Sequence, residues 1–323
     1  MSKPTILITG CAGFIGSHVT ETFLKAGYRV IGYDAFTYAG KASNLYGAMN
    51  YGNQFTIVRG DIQNKNRLVS TIKEAGGVDW IVNLAAETHV DNSIHDCGEF
   101  INTNINGTKV LLDVCREIGC KLLHFSTDEV YGVSPLGIPF TETDNLNPRN
   151  PYSATKAGAD HMIKAYANTY GTEYLLVRPS NNFGVRQHNE KFIPTIINSL
   201  RNNKKIPIYG EGNQIREWTS VKETAKATVF ILENSPINET YNITSGFYAK
   251  NIDVVRAICS FLSLEFSAQV EYVKDRLGHD FRYSVSSDKL DNLGYKVLSD
   301  FTTELKEVIY NDFIGLRNTP RVD

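Results

Sequence analysis

The sequence predicts an α/β protein, a doubly wound parallel sheet with a smaller, mixed C-terminal domain, and three observations lead there. Short aliphatic and β-branched runs alternate with helix-length amphipathic segments through about the first half of the chain. The first of those runs ends in a glycine-rich turn. After Ser180 the alternation loosens into loops mixed with helical stretches. Strands are expected at TILIT, RVIGYD, FTIVRGD, DWIVNLAA, KLLHFST and EYLLVRP, and helices up to about Lys25 and over residues 99–118 and 151–170. Beyond them, NNFGVRQHNEK and YGEGNQIREW read as loops and residues 192–202, 222–233 and 253–262 as helices. Residues 1–180 are therefore expected to form the sheet domain, completed by later segments. Residues 181–323 are expected to supply most of a second domain over the carboxyl ends of the strands, where open α/β sheets hold ligands. The closing NTPRVD reads as a loose tail.

Composition narrows the partners. With 323 residues, 42% of them hydrophobic, the chain has material for a large core. A formal charge of -2 gives no basic footprint for nucleic acid or an anionic membrane, so small molecules are the expected partners. Cys11, Cys97, Cys115, Cys120 and Cys259 are odd in number and lack CxxC spacing, and the seven histidines are dispersed. Reduced thiols, a cytoplasmic setting and no metal are expected. No run approaches the roughly 18 apolar residues of a membrane span, and MSKPTILITG lacks the features of a signal peptide.

The first motif with chemistry is TGCAGFIG. Gly10, Gly13 and Gly16 follow a strand and open a helix, so the backbone can approach a pyrophosphate at the helix N-terminus. A glycine triplet alone also fits a plain strand-to-helix turn. The second strand, however, ends in Asp34, about 20 residues on, where a carboxylate accepts from a ribose 2′-hydroxyl and repels a 2′-phosphate. No arginine follows in AFTYAG, so the pattern is Rossmann-type and favours NAD over NADP.

The second is NPYSATKAGADHM. Pro151 after Asn150 is a good helix opening, which puts Tyr152 in the first turn and Lys156 four residues on along the same face. A phenol with an ordinary pKa near 10 is a poor base at neutral pH, but a close ammonium and an oxidised nicotinamide ring both favour its phenolate. An arbitrary YxxxK is more often a surface tyrosine over a lysine stem. Here the strand ending in Ser126 and Thr127 lies just upstream, so hydroxyl, phenol and ammonium can converge.

TGxxGxxG followed by YxxxK resembles the extended short-chain dehydrogenase/reductase superfamily, and more closely its nucleotide-sugar 4,6-dehydratases, those acting on dTDP-glucose or UDP-glucose. The likeness runs through DAFTYAG, VRGDI, LAAETHVDNSI, STDEVYG, NPYSATKAGAD, RPSNNFGVRQ, EKFIP, GEGNQIREW and DRLGHDFRY. It implies that Gly10, Gly13, Phe14, Ile15, Gly16, Asp34, Thr37, Asp61, Ile62, Ala85, Ala86, Asn104, Tyr152 and Lys156 hold NAD, with Asp61 and Ile62 at the adenine. It further implies that Thr88, Asn182, Lys191, Arg216, Asn251, Arg276 and Arg282 hold a nucleoside-diphosphate glucose. Relatives commonly pair through helices corresponding to residues 99–118 and 151–170, so a homodimer is expected.

The same resemblance gives meaning to two acids placed where KLLHFST leaves the core. Oxidising a sugar's 4-hydroxyl to a ketone acidifies the hydrogen at carbon 5. A base must then remove that hydrogen while an acid protonates the departing 6-hydroxyl, and hydride return to carbon 6 gives a 4-keto-6-deoxy sugar. By resemblance Asp128 is the acid, Glu129 the base, and Thr127 holds the oxygen at carbon 4. The plain alternative is two acids at a helix N-terminus, but VYGVSPLG makes a poor helix. A nucleotide-sugar 4-epimerase shares the glycines, Tyr and Lys without needing the acid pair, and a catalytically dead NAD-sensing protein would need none of the constellation. Departures from the dTDP-glucose branch are ETHVDNSI for ESHVDRSI, Phe281 in GHDFRY, and Glu217 and Glu223 where aspartates are usual. THVDNS is similar to the UDP-glucose dehydratase domains of plant rhamnose synthesis, so UDP-glucose is favoured over dTDP-glucose.

Overall fold

Seven strands run parallel in the order β3-β2-β1-β4-β5-β6-β10, as seen in a computed structural model that describes residues 3–135, 137–274, 282–298 and 300–314. They are β1 (Thr5–Thr9), β2 (Arg29–Asp34), β3 (Phe55–Arg59), β4 (Trp80–Asn83), β5 (Lys121–Phe125), β6 (Tyr174–Pro179) and β10 (Glu239–Ile243). The central strands are covered on both faces. In β1, Ile6 and Ile8 point into one apolar layer and Leu7 into the other, which is why such strands read as unbroken apolar runs. Strand order reverses at β1, whose Thr9 is in register with Tyr33 of β2 on one side and Asn83 of β4 on the other. A crevice opens at that reversal, beyond the carboxyl ends.

A second layer lies over these ends. Strands β7 (Asn181–Phe183), β9 (Ile215–Ser220) and β11 (Tyr248–Lys250) form a three-stranded sheet, and β8 (Ile206–Tyr209) pairs with β12 (Val270–Val273). Helices Phe192–Arg201, Asn251–Phe261 and Phe301–Ile309 share one apolar cluster with Phe183 and Trp218. Two later pieces rejoin the first layer: β10 extends the large sheet beyond β6, and helix Val221–Asn234 packs on helix Phe14–Lys25. The expected helix over residues 99–118 contains a π-helical turn, Ile101–Gly107, before Thr108–Ile118. The apolar spacing does not show this turn. It carries Asn104 into the core below the crevice. Among the described residues no helix is long and apolar enough to cross a membrane.

One buried polar network ties elements of the first layer together. Arg178 of β6 and Asp160 of helix Pro151–Tyr170 have fully buried side chains, with the guanidinium Nε 3.0 Å and Nη2 2.9 Å from Asp160 Oδ2. Arg178 Nη1 donates to the Tyr131 hydroxyl at 2.6 Å, which donates to Asn242 Oδ1 of β10 at 2.9 Å. Tyr131 also stacks on Phe140. Removing one partner of such a pair strands a buried charge. Arg178→Met should therefore lower unfolding stability by about 3–5 kcal/mol in urea melts, and Arg178→Met with Asp160→Leu should recover much of the loss.

Candidate active site

The cofactor end is built from backbone. Gly10 has φ +66°, and a Cβ there would come 2.7 Å from the Ala85 nitrogen; at Gly16 it would come 2.0 Å from the Gly10 carbonyl oxygen. Only glycine lets β1, the Phe14–Lys25 helix and the loop after β4 approach this closely. Asp34 Oδ2 accepts from the Ala12 amide at 2.8 Å and Oδ1 from the Phe36 amide at 2.8 Å. Burial pushes its carboxyl pKa up, while those two amides pull it down. Each oxygen keeps lone-pair capacity toward the crevice. That crevice is lined by Gly10, Gly13, Asp34, Thr37, Asp61, Ile62, Ala85 and Ala86, among others. A glycine cradle, a carboxylate at its rim and an apolar slot fit a dinucleotide.

Three further cofactor expectations fall on Phe14, Ile15 and Asn104. Ile15 packs into the core beneath the cradle, and the Phe14 ring meets His18 edge-on at 5.9 Å. Asn104 is buried with its amide committed elsewhere: Nδ2 donates to the Glu87 carbonyl at 3.1 Å and to Thr155 Oγ1 at 2.9 Å, and Oδ1 accepts from the Glu87 amide at 2.9 Å. It fixes the loop after β4 against the Pro151–Tyr170 helix.

At the end of β5 the two acids open a single 3₁₀ turn, Asp128–Tyr131, so the helix-start alternative leaves a trace of one turn. Gly132, at φ +83°, ends it. Thr127 caps the turn, accepting from the Glu129 amide at 3.3 Å and donating to Asp128 Oδ1 at 3.2 Å. Asp128 is 3% exposed and its Oδ2 has no hydrogen-bond partner. Burial first, and then the Glu129 charge, push its pKa up to about 7. Asn150 caps the Pro151–Tyr170 helix and sends its amide nitrogen to within 3.4 Å of Glu129 Oε2, so the helix start and the acid turn meet.

Tyr152 and Lys156 lie on that helix, both buried. Burial and Glu129 hold the Tyr152 phenol well above its ordinary pKa, against a hydrogen bond to Thr127. Lys156 Nζ donates to the Phe125 carbonyl at 2.5 Å and lies 3.4 Å from His124 Nε2. Burial lowers the Lys156 pKa to about 8.

The residues expected to hold substrate divide into two places. Lys191, Arg216 and Asn251 line one cleft in the second layer, with Phe192, Gln214 and Trp218. Lys191 Nζ also donates to the Thr88 carbonyl at 3.2 Å, which brings Thr88 to the cleft's edge. Asn182 Nδ2 donates to the Ser180 carbonyl and its Oδ1 has no partner, while the Arg282 guanidinium lies over the Tyr248 ring at 5.2 Å. Arg276 and the Phe281 departure fall outside the described residues. Sequence reasoning passed over Gln214, two residues before Arg216 on the same strand approach, and Glu217, noted only as a departure. Glu217 is fully buried; burial and Asp128 push its pKa up to about 8, and its Oε1 accepts from the Gly246 amide at 3.0 Å.

An acid whose pKa is raised on folding holds its proton more tightly in the folded chain, so folding loses support as pH rises from its ordinary 3.8 to about 7. Asp128→Asn removes that loss and keeps an oxygen for Thr127. Relative to the parent, the variant should gain roughly 1–3 kcal/mol more stability at pH 8 than at pH 5, measured by urea unfolding at both.

Comparison with known proteins places this geometry. The profile described as the NAD dependent epimerase/dehydratase family matches residues 6–244. The chain is 42% identical over 293 residues to the low-salt glycan biosynthesis protein Agl12 of Haloferax volcanii, covering 90% of this chain and 93% of that one. It is 38% identical over 325 residues to the dTDP-glucose 4,6-dehydratase of Xanthomonas campestris pv. campestris, covering 94% and 92%. The solved structure of DesIV, a dTDP-glucose 4,6-dehydratase of Streptomyces venezuelae with NAD bound, superposes with a TM-score of 0.91 at 36% identity, covering 97% and 98%. The chain belongs to the NAD dependent epimerase/dehydratase family, among its nucleotide-sugar 4,6-dehydratases.

Proposed function

We propose that this protein converts dTDP-glucose to its 4-keto-6-deoxy sugar by acid–base elimination across carbons 5 and 6. The observation that carries the reading is the turn after β5. It holds a buried acid whose pKa is pushed up to about 7 beside a second carboxylate in contact with Asn150. NAD, held by the glycine cradle and Asp34, would supply the hydride chemistry between carbon 4 and carbon 6 of the sugar. The chain supplies the rest. Tyr152 takes the proton from the 4-hydroxyl, and Lys156 supplies positive charge beside it. Thr127, within hydrogen-bond reach of Tyr152, holds the oxygen at carbon 4. Glu129 removes the hydrogen at carbon 5. Asp128, kept protonated by burial, donates to the 6-hydroxyl so that it leaves as water. Lys191, Arg216 and Asn251 hold the nucleoside diphosphate in the second-layer cleft, and Asp34 holds the cofactor ribose.

The stretch THVDNS speaks for UDP-glucose. Similarity along 94% of the chain to a dTDP-glucose 4,6-dehydratase outweighs six residues, and we take dTDP-glucose as the substrate. We also take the protein to be a homodimer. Ile101, 41% exposed at the start of the 99–118 segment, and Ile94, 54% exposed just before it, are apolar side chains that such an interface would cover.

Glu129→Gln should carry out the first half-reaction and stall at the second, so that reduced nicotinamide absorbance accumulates after mixing with dTDP-glucose while product formation falls about 100- to 10,000-fold. Tyr152→Phe should form neither. Normal product formation by Glu129→Gln would contradict the assigned roles, and preference for UDP-glucose in a competition run of the same assay would reverse the nucleotide. Light scattering should give a mass about twice 36.1 kDa at micromolar concentration; a mass near 36.1 kDa would exclude the dimer.

A further inference from the structure

The Lys156 ammonium is placed by more than its own helix. Its Nζ lies 3.4 Å from His124 Nε2 and donates to the carbonyl of the next residue, Phe125, at 2.5 Å. On the other side of the ring, His124 Nδ1 lies 3.0 Å from the Asn83 amide nitrogen, and Asn83 Oδ1 is 2.6 Å from the Thr9 hydroxyl. Thr9, Asn83, His124 and Lys156 are at most 3% exposed, so the chain crosses β1, β4 and β5 and ends at the Pro151–Tyr170 helix without reaching water. Nothing in the reaction as described above uses His124.

We propose that His124 is a positioning residue for Lys156, its Nε2 accepting from the ammonium while its Nδ1–H donates to the side-chain oxygen of Asn83. An ammonium has only donors, so the ring nitrogen that faces it must carry a lone pair. The ring proton then sits on Nδ1. As placed, the Asn83 amide offers its nitrogen to Nδ1, which would leave Nε2–H facing the ammonium, donor against donor. Turning the near-isosteric amide end for end resolves this: its oxygen accepts from Nδ1–H and its nitrogen donates to the Thr9 hydroxyl oxygen. Every link then runs donor to acceptor from Lys156 to Thr9. Burial disfavours a positive charge on the ring, and the Lys156 ammonium does the same, so both hold the His124 pKa far below its ordinary value. A neutral imidazole is the better acceptor. The device gives a buried cation a second acceptor besides the Phe125 carbonyl, at a place where burial alone would tend to neutralise it.

This inference rests on the catalytic reading of Lys156, and its test separates the two. Nitrogen-15 NMR of histidine-labelled protein at neutral pH, with the His124 signal assigned by its loss in His124→Phe, reads the tautomer without turnover. The proton should be on Nδ1; a proton on Nε2, or an imidazolium, would overturn the proposal. In stopped-flow mixing with dTDP-glucose, His124→Phe should slow formation of reduced nicotinamide about 10- to 100-fold, the range for a hydrogen bond to a charged group, with KM little changed. His124→Gln, whose side-chain oxygen can replace Nε2 as acceptor, should recover most of that rate. Equal rates in parent and His124→Phe, with both folded by circular dichroism, would overturn it. So would equal loss in the Phe and Gln variants. If the parent forms no 4-keto-6-deoxy product from dTDP-glucose, the dehydratase reading fails, and the tautomer still decides how His124 faces Lys156.

Discussion

The buried contact between Arg178 and Asp160 is the constraint on which the site's geometry depends. It joins β6 to the helix that carries Tyr152 and Lys156, and through Tyr131 it reaches the turn that carries Asp128 and Glu129. Asn242 extends it to β10, the strand that the chain returns to add at the sheet edge. A pair this deep contributes little net stability over a well-packed apolar alternative, because desolvating both charges offsets their attraction. Its consequence is positional. A guanidinium with a fixed fork of donors holds the acid turn and the helix in one relative placement, as apolar side chains that can slide would not.

Around that frame the protein gathers ionisable groups where water does not reach them. Asp128, Glu217, Tyr152 and Lys156 all lie buried, and in each case burial is the largest influence on the proton. For the carboxyls and the phenol burial favours the protonated form, and for the lysine the neutral one. Only the first tendency suits an acid that must hold a proton near neutral pH. The lysine needs the opposite, and its neighbours, the Phe125 carbonyl and His124, answer that need. Glu129 differs from Asp128 by one step along a 3₁₀ turn and is less deeply buried, and it is in contact with Asn150. One turn thus offers its two carboxyls two different environments.

What was legible in the sequence is what short-range geometry dictates. Gly10, Gly13 and Gly16 could be read because a tight turn into a helix leaves no room for a side chain, and Asp34 because it ends the neighbouring strand at a set distance. Tyr152 and Lys156 could be read because four residues on a helix return to the same face. The acids at Asp128 and Glu129 stood out because they end an apolar strand. Contacts made across the fold were not legible. Arg178 and Asp160 are separate segments with no shared pattern, and β10 looks like any short strand until its register against β6 is seen. Asn104 shows what a motif does not reveal: it lies in the core below the crevice, with its amide committed to Glu87 and Thr155. Lys156 could be paired with Tyr152 from their spacing on one helix face, but its partners on β5 could not be read, since only tertiary packing brings that strand beneath the helix.

The central claim is that one site removes a hydride from carbon 4, eliminates water across carbons 5 and 6, and returns that same hydride. Turnover of dTDP-glucose deuterated at carbon 4, in ordinary water, followed by NMR of the isolated product, tests it most directly. The account predicts a 4-keto-6-deoxy sugar with the deuterium in the methyl group at carbon 6 and hydrogen from solvent at carbon 5. Deuterium retained at carbon 4 of a sugar with inverted configuration and an intact 6-hydroxyl would contradict it.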